Sequence, residues 1–397
     1  MARRIAVIGG SPRIFPRAPR PEFELVLMHS RSVYGYDEQM ESMCDGFVDV
    51  DFVRDYDRLE RLFLEMHAES PFERAYAQDE DALVVGARLN QLIGAVDNDV
   101  LAAWRLKDKS LMRQCLSGRT GNAVRFALVA SAEELRQFGA SIEGKVIVKP
   151  LEGSGSLDVY TLERAADARL CWSDIQSKGY KVMLAEEFID GPEFSVETYS
   201  WNGHHVVIGV NRKKMRGSME IGHAIPCDLP ESIKDELCRA TLELLDVVGL
   251  THGPAHTELR IDGGGARPIE SHNRTAGSKI PEMIELAYGF DVLNLTFGVP
   301  LGLSRPLTTS PVPHGVAAMR HILPDPGTVV EITGVGDIRD PDVRVVIGLQ
   351  PGDFVEEERN SYDLIKVGSW VVAQGTCEEE AVTKCEDALD HIKIVTR

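Results

Sequence analysis

One stretch restricts the fold more than any other: VKPLEGSGSLDV, running from Val148 to Val159. A lysine closes an apolar run, and glycines and serines follow it. A Walker-type loop sets phosphate at a helix N-terminus and carries its lysine after the glycines, inside the first helical turn. Here Lys149 ends the β-type run KVIVKP, and DVYTLE after the loop is a second β-type run. The order is therefore strand, loop, strand. Gly153 and Gly155 let the backbone fold over an anion, and Ser154 and Ser156 add donors. Lys149 brings a compact charge to the loop's root. A hairpin of this kind can close over a triphosphate. Taken alone, the stretch reads equally well as a surface hairpin with a solvated lysine.

The flanking sequence supplies the scaffold. RRIAVIGG and FELVLMHS read as buried strands, while RLERLFLEMH and EDALVVGARLNQLIG have helical spacing of apolar residues. This alternation over the first hundred residues predicts an open α/β domain with a partly parallel sheet. Gly9 and Gly10 do not complete a GxGxxG pattern and read as a turn that ends a strand. From about Gly144 short β-type runs follow one another: KVIVKP, DVYTLE, KVMLAEEFI, FSVETYSWNG and HHVVIGVNRKK. The helix PESIKDELCRATLELLDVVG comes next, and then two strands around DGGGA. After about Ser310 strands return in GVAAMRHILP, VRVVIGLQPGD and GSWVVAQGT. A last helix, CEEEAVTKCEDALDHI, opens on three glutamates suited to its N-terminal dipole.

Composition removes whole classes of function. A chain of 397 residues with a formal charge of -19 would be repelled by a nucleic-acid backbone or an anionic membrane surface. The apolar run of MARRIAVIGGSP is too short for a signal-peptide core, and no stretch approaches the length of a membrane helix. The seven cysteines are scattered and form no CxxC, so neither a disulfide framework nor a zinc site is signalled and a reducing cytoplasm is expected.

The segment GPAHTELRIDGGGARPIESHNRTAG carries more chemistry. A hairpin turn centred on Gly264 sets Glu258 opposite Glu270 and His256 opposite His272. Residues two apart share a face, so His256, Glu258 and Arg260 stand beside Glu270, His272 and Arg274. Opposed carboxylates about 5 Å apart repel unless positive charge lies between them. A Mg²⁺ ion shared with nucleotide phosphates meets that need. Two further stretches stand out. AEEFIDGPEFSVE sets Glu186 and Glu187 beside an apolar strand, and VNRKKMRGSMEIGH concentrates basic residues in an acidic chain. Each reads as a solvated edge or, for the second, as a loop closing over an anionic substrate.

In this order, from about Trp104 to Asp291, these pieces resemble the ATP-grasp superfamily, specifically its carboxylate–amine ligases. The resemblance implies an α/β, overall α+β, fold in three parts. These are a Rossmann-like N-terminal domain over 1–105, an ATP-grasp domain over 106–300 with a mobile clamp at 145–205, and a C-terminal α+β subdomain over 301–397. It implies that Lys109 and Lys149 contact phosphate, with Gly153, Ser154, Gly155 and Ser156 folded over it. Glu186 and Glu187 would lie at the adenine, Phe188 in the backbone segment that pairs with it, and Glu193 at the ribose. Glu258 and Glu270 become ligands for Mg²⁺, with Mn²⁺ as the alternative. Arg274 would meet the transferring phosphoryl group. Arg216, Glu220 and His223 belong to the segment covering the substrate carboxylate. Many members of the family carry asparagine where this chain has His272. His272 is therefore expected to address substrate, and with His256 it is a candidate base.

The implied reaction joins a small-molecule carboxylate, expected to be an amino acid, to an amine through an acyl phosphate. Neither nucleic acid nor membrane takes part, and homodimers are common among the relatives. Carboxylation through carboxyphosphate, a small-molecule kinase and a non-catalytic ATP-binding protein are the competing readings.

Overall fold

An apolar run buried on both faces suits the centre of a parallel sheet. RRIAVI supplies it, with Ile5, Ala6, Val7 and Ile8 fully or almost fully buried. The structure, a computed structural model, describes residues 3–10, 22–32, 36, 38–119, 123–153, 155–217, 219–357 and 360–397. β1 (Arg3–Ile8), β2 (Phe23–His29), β3 (Gly46–Asp49) and β4 (Phe72–Ala77) form a wholly parallel sheet in the order β3-β2-β1-β4. Among the helices packed on it are Tyr56–Glu69 and Leu83–Ile93. The first of these is capped by Asp55, whose side chain accepts from the Arg58 amide.

A second sheet contains β5 (Phe126–Val129), β6 (Val146–Lys149), β7 (Tyr160–Leu162) and β8 (Met183–Glu187) in the order β5-β8-β6-β7. It packs its own core against helices Ala132–Ser141 and Ala168–Ser177. This small unit thus begins before Gly144 and ends at β8, so its bounds differ from the 145–205 expected of a clamp.

The largest sheet gathers strands from two parts of the chain. β9 (Glu193–Trp201), β10 (His204–Arg216), β11 (Met219–Ile225), β12 (Gly253–Asp262) and β13 (Gly265–His272) come first. β14 (Val316–His321), β15 (Gly327–Thr333), β16 (Val343–Val346), β17 (Phe354–Val355), β18 (Trp370–Gly375) and β19 (Lys393–Thr396) follow. The eight-stranded order is β13-β12-β9-β10-β11-β14-β18-β16, antiparallel throughout. The C-terminal strands therefore continue the sheet begun by β9–β13, and β15, β17 and β19 form a separate three-stranded sheet.

β9 shows how the large sheet positions a site. All but the last of its residues are buried, yet they alternate in kind. Phe194 and Val196 pack against helix Glu231–Val248, while Glu193, Ser195 and Glu197 face the other way. Further along that second face Tyr199 joins the apolar core built around helix Ile280–Tyr288. No helix among the described residues is long and apolar enough to cross a membrane, and all seven cysteines are free thiols.

Candidate active site

The small and large sheets meet at a cavity of about 380 Å³. Its roof is the glycine hairpin: Lys149, Gly153, Gly155 and Ser156 line it. Gly153 and Gly155 adopt positive φ, as does Ser156 at 59°. Ser154 lies outside the described residues. One wall is the crossing from β8 into β9, with Glu186, Glu187, Phe188 and Glu193. The floor holds Lys109, Glu220, Glu258 and Glu270.

Local structure explains each placement. Lys109 opens helix Lys109–Leu116, which Asp108 caps by accepting from the Ser110 and Leu111 amides. The Lys109 ammonium donates to the Gly153 carbonyl at 2.6 Å and lies 2.9 Å from a Glu270 oxygen, tying the hairpin to the floor. Arg113 sits one turn along the same helix face and is fully buried. It makes a bidentate pair with Glu186 and donates to the Pro268 and Ile269 carbonyls at 2.6 and 3.0 Å. Lys149 lies 2.8 Å from Glu186 Oε2, which it shares with Arg113. Burial alone would raise the Glu186 carboxyl, but Arg113 and Lys149 hold it down to about 2. Burial lowers the Lys149 ammonium. Phe188 donates its amide to the Lys145 carbonyl at 3.0 Å, and the Arg260 guanidinium lies over its ring.

β12 and β13 pair with Glu258 opposite Glu270 and His256 opposite His272. The register slips by one between Glu258 and Leu259, so that Leu259 faces Pro268 and Arg260 faces Arg267. The turn half of the hairpin thus departs from a turn centred on Gly264. The bulge also leaves the Pro268 and Ile269 carbonyls to Arg113.

Behind the cavity acids and bases alternate. His256 lies between Glu197, 2.8 Å from Nδ1, and Glu258, 3.1 Å from Nε2. His272 lies between Glu80, 3.0 Å from Nδ1, and Glu270, 3.3 Å from Nε2. Arg274 donates from Nε to the same Glu80 oxygen at 2.7 Å. Burial would lower both histidines. Glu197 and then Glu258 instead raise His256 to about 9, and Glu80 foremost raises His272. His256 therefore rests as an imidazolium at neutral pH, which suits charge stabilisation. Burial would raise Glu80, but His272 and Arg274 hold it well below the usual carboxylate range. Burial would likewise raise Glu258 and Glu270. Lys213 chiefly holds the first down, and Lys109 with His272 the second.

The basic run after Val210 is not a loop. β10 continues through Arg216, and its alternation sends Lys213 inward while Arg212 and Lys214 pair outside with Glu378 and Glu386. Arg216 is exposed at the strand's end, next to Gly217, which lines the cavity. Lys213 contacts Glu220 at 2.8 Å, and His223 is fully buried beside Asn211, 3.2 Å from its Nδ1. Burial and then Lys213 push His223 well below the ordinary histidine value, so it stays neutral.

Glu80, Arg113 and Glu197 escaped sequence reading, and Lys213 stood out only as one charge of the basic run. Glu197 had a usable signal, standing four residues beyond Glu193 on one strand face. Arg113 had another, at the i+4 position from Lys109. Glu80 lies in the acidic run QDED just beyond β4, where an open parallel sheet places its ligands.

Glu258 and Glu270 offer opposed carboxylate oxygens, the donor chemistry that Mg²⁺ or Mn²⁺ takes. The residues present fit such an ion.

Residues 142–282 match the ATP-grasp domain family, and 320–397 match the L-amino acid ligase C-terminal domain 2. Among curated proteins, the L-arginine-specific L-amino acid ligase of Bacillus subtilis is 22% identical over 330 residues, covering 80% of each chain. Carnosine synthase 1 of Gallus gallus is 26% identical over 301 residues, which are 65% of this chain and 31% of that protein. Among solved structures, the L-amino acid ligase of Bacillus licheniformis superposes with a TM-score of 0.81 at 20% identity, covering 100% of this chain and 99% of that one. The chain carries an ATP-grasp domain followed by a C-terminal domain of the L-amino acid ligase type, and it has the ATP-grasp fold.

Proposed function

We infer that this protein is an ATP-dependent ligase that joins the carboxylate of an amino acid to an amine and releases ADP and phosphate. The observation that carries the reading is the Glu258–Glu270 pair on the floor of a cavity roofed by a glycine hairpin. Similarity to L-amino acid ligases and to carnosine synthase supports an amino acid as the carboxylate donor. In this reading the adenine lies along Phe188 and Ile189, the ribose at Glu193, and the phosphates between Lys109, Lys149 and the hairpin. Glu258 and Glu270 would hold a divalent cation, which supplies neutralisation of phosphate charge.

The substrate carboxylate oxygen attacks the γ-phosphorus of ATP, the bond to the bridging oxygen breaks, and ADP leaves. The neutral amine then attacks the acyl carbon, inorganic phosphate departs with the bonding pair, and the proton lost from nitrogen leaves with the phosphate. Positioning and charge are most of what the first step demands. Arg274, anchored by Glu80, meets the acyl phosphate, and the His256 imidazolium keeps positive charge beside Glu258 on the floor. Glu220 borders the substrate end, with His223 buried behind it and Arg216 at the end of its strand. The closed hairpin keeps water from the acyl phosphate.

The test is ADP and phosphate release with ATP, Mg²⁺ and pooled amino acids, with mass spectrometry of the products. Amino-acid-dependent ADP formation with a product lighter than its parts by one water supports the ligase. A stable phosphorylated product, or dependence on bicarbonate, overturns it. Glu270→Gln should lower ADP release on the order of 10²-fold or more while leaving circular dichroism unchanged. Wild-type turnover in that variant would remove the metal assignment.

A further inference from the structure

Lys213 has no exposed side-chain surface, and its ammonium makes three contacts at once. It lies 3.0 Å from Glu193, 2.8 Å from Glu220 and 2.7 Å from Glu258. The three carboxylate oxygens fall within 4.8 Å of one another, a spacing that also suits a metal ion. An ammonium has three N–H donors, so the cage is saturated by the protein's own cation. The neighbouring carboxylate is treated likewise, because Glu270 is held by Lys109 at 2.9 Å. Each glutamate assigned to the cation is therefore already paired with a lysine.

Both arrangements cannot persist when a divalent ion arrives. A doubly charged cation bound to Glu258 repels an ammonium lying 2.7 Å from the same carboxylate. Lys213 still has Glu193 and Glu220 to hold it, and both line the cavity where the nucleotide would lie. Four carboxylates, one buried and three half-buried, would otherwise converge there with too little positive charge, at a cost that normally unfolds or protonates such a site.

We propose that Lys213 is the resident counter-ion of the metal carboxylates: it holds Glu193, Glu220 and Glu258 in register before nucleotide binds and yields Glu258 to the divalent cation. It is a positioning residue, and the proposal rests on the reading of Glu258 as a metal ligand. One consequence is that metal binding is tied to nucleotide binding. Without phosphates to offset the released ammonium, the ion competes poorly for Glu258.

The test uses the full chain and Mn²⁺ alone, followed by electron paramagnetic resonance and thermal melting. Wild type should bind Mn²⁺ weakly without nucleotide. Lys213→Met should bind it at least tenfold more tightly, with a melting temperature that rises on adding Mn²⁺. The double variant Lys213→Met with Glu220→Gln lowers the uncompensated charge and should also bind Mn²⁺ more tightly than wild type. It decides the matter if the single variant does not fold. Adding Glu258→Gln to Lys213→Met should abolish the gain. Mn²⁺ affinity equal to wild type in the folded lysine variants overturns the proposal, as does a gain that survives Glu258→Gln. Since no turnover is measured, failure here is separable from failure of the ligase reading. That reading fails instead if wild type with ATP and Mn²⁺ makes no product.

Discussion

Glu186 shows how little a residue's identity says before its partners are known. Its sequence neighbourhood allowed a solvated edge, yet the carboxylate is buried between Arg113 and Lys149. Removing one member of a buried pair typically costs about 3–5 kcal/mol, because the other is left uncompensated. Lys149→Ala is therefore expected to weaken ATP binding and to lower the melting temperature, readable by nucleotide titration and calorimetry. Unchanged ATP affinity and turnover would dismiss Lys149 as a phosphate ligand. His321 offers a separate check by pH. Burial, with nearby Lys279, lowers it from 6.5 to about 4. A histidine depressed on folding contributes stability that is present above pH 6.5 and lost as pH falls through about 4. The loss is about 3 kcal/mol. His321→Gln should flatten the stability curve between those limits in urea titrations, and an unaltered slope would contradict the assignment. None of these partners can be read from spacing, because each pair joins distant parts of the chain.

At the scale of elements, the β12–β13 hairpin was the most legible part of the site. Two-residue periodicity put His256 and Glu258 on one strand face, and their pairing with His272 and Glu270 holds because the bulge offsets the turn's departure from Gly264. The bulge beside Glu258 was not legible, since a one-residue slip satisfies the apolar pattern equally well. The basic run of β10 was misread for a related reason. Its charges left a solvated surface and a closing loop both open, whereas the sheet buries alternate residues and turns Lys213 inward. The loop from β8 to β9 depends on Gly191, where a Cβ would run into the Ile261 carbonyl oxygen. Gly191→Ala should cost about 1–3 kcal/mol, measured by denaturant unfolding. It should also weaken ATP binding, because this loop separates the wall proposed for adenine from Glu193. A silent substitution would show that the loop relaxes freely.

For the whole molecule, the N-terminal domain contributes more than a scaffold. Tyr76 of β4 donates to the Phe297 carbonyl at 2.6 Å, fixing that domain against helix Val292–Gly298. Just beyond β4, Glu80 reaches across to His272 and Arg274. Glu80→Ala should lower kcat by roughly 10–100-fold, the usual effect of losing a residue that orients a reacting group. ATP affinity should be unchanged, since Glu80 does not line the cavity proposed for the nucleotide. Equal losses in kcat and ATP affinity would mean that Glu80 serves folding alone.

The sequence by itself determined the alternation of strands and helices in the N-terminal part, the strand–loop–strand order of the hairpin roof and the opposed glutamates. These follow from local periodicity and turn chemistry, which need no knowledge of distant neighbours. Only the tertiary structure decided the continuation of one sheet into the C-terminal strands, the pairing of each buried carboxylate, and the entry of Glu80 and Lys213 into the site. Those features arise where residues far apart in the chain must neutralise one another out of water. The energy that selects them is a property of the assembled cavity and of no single segment.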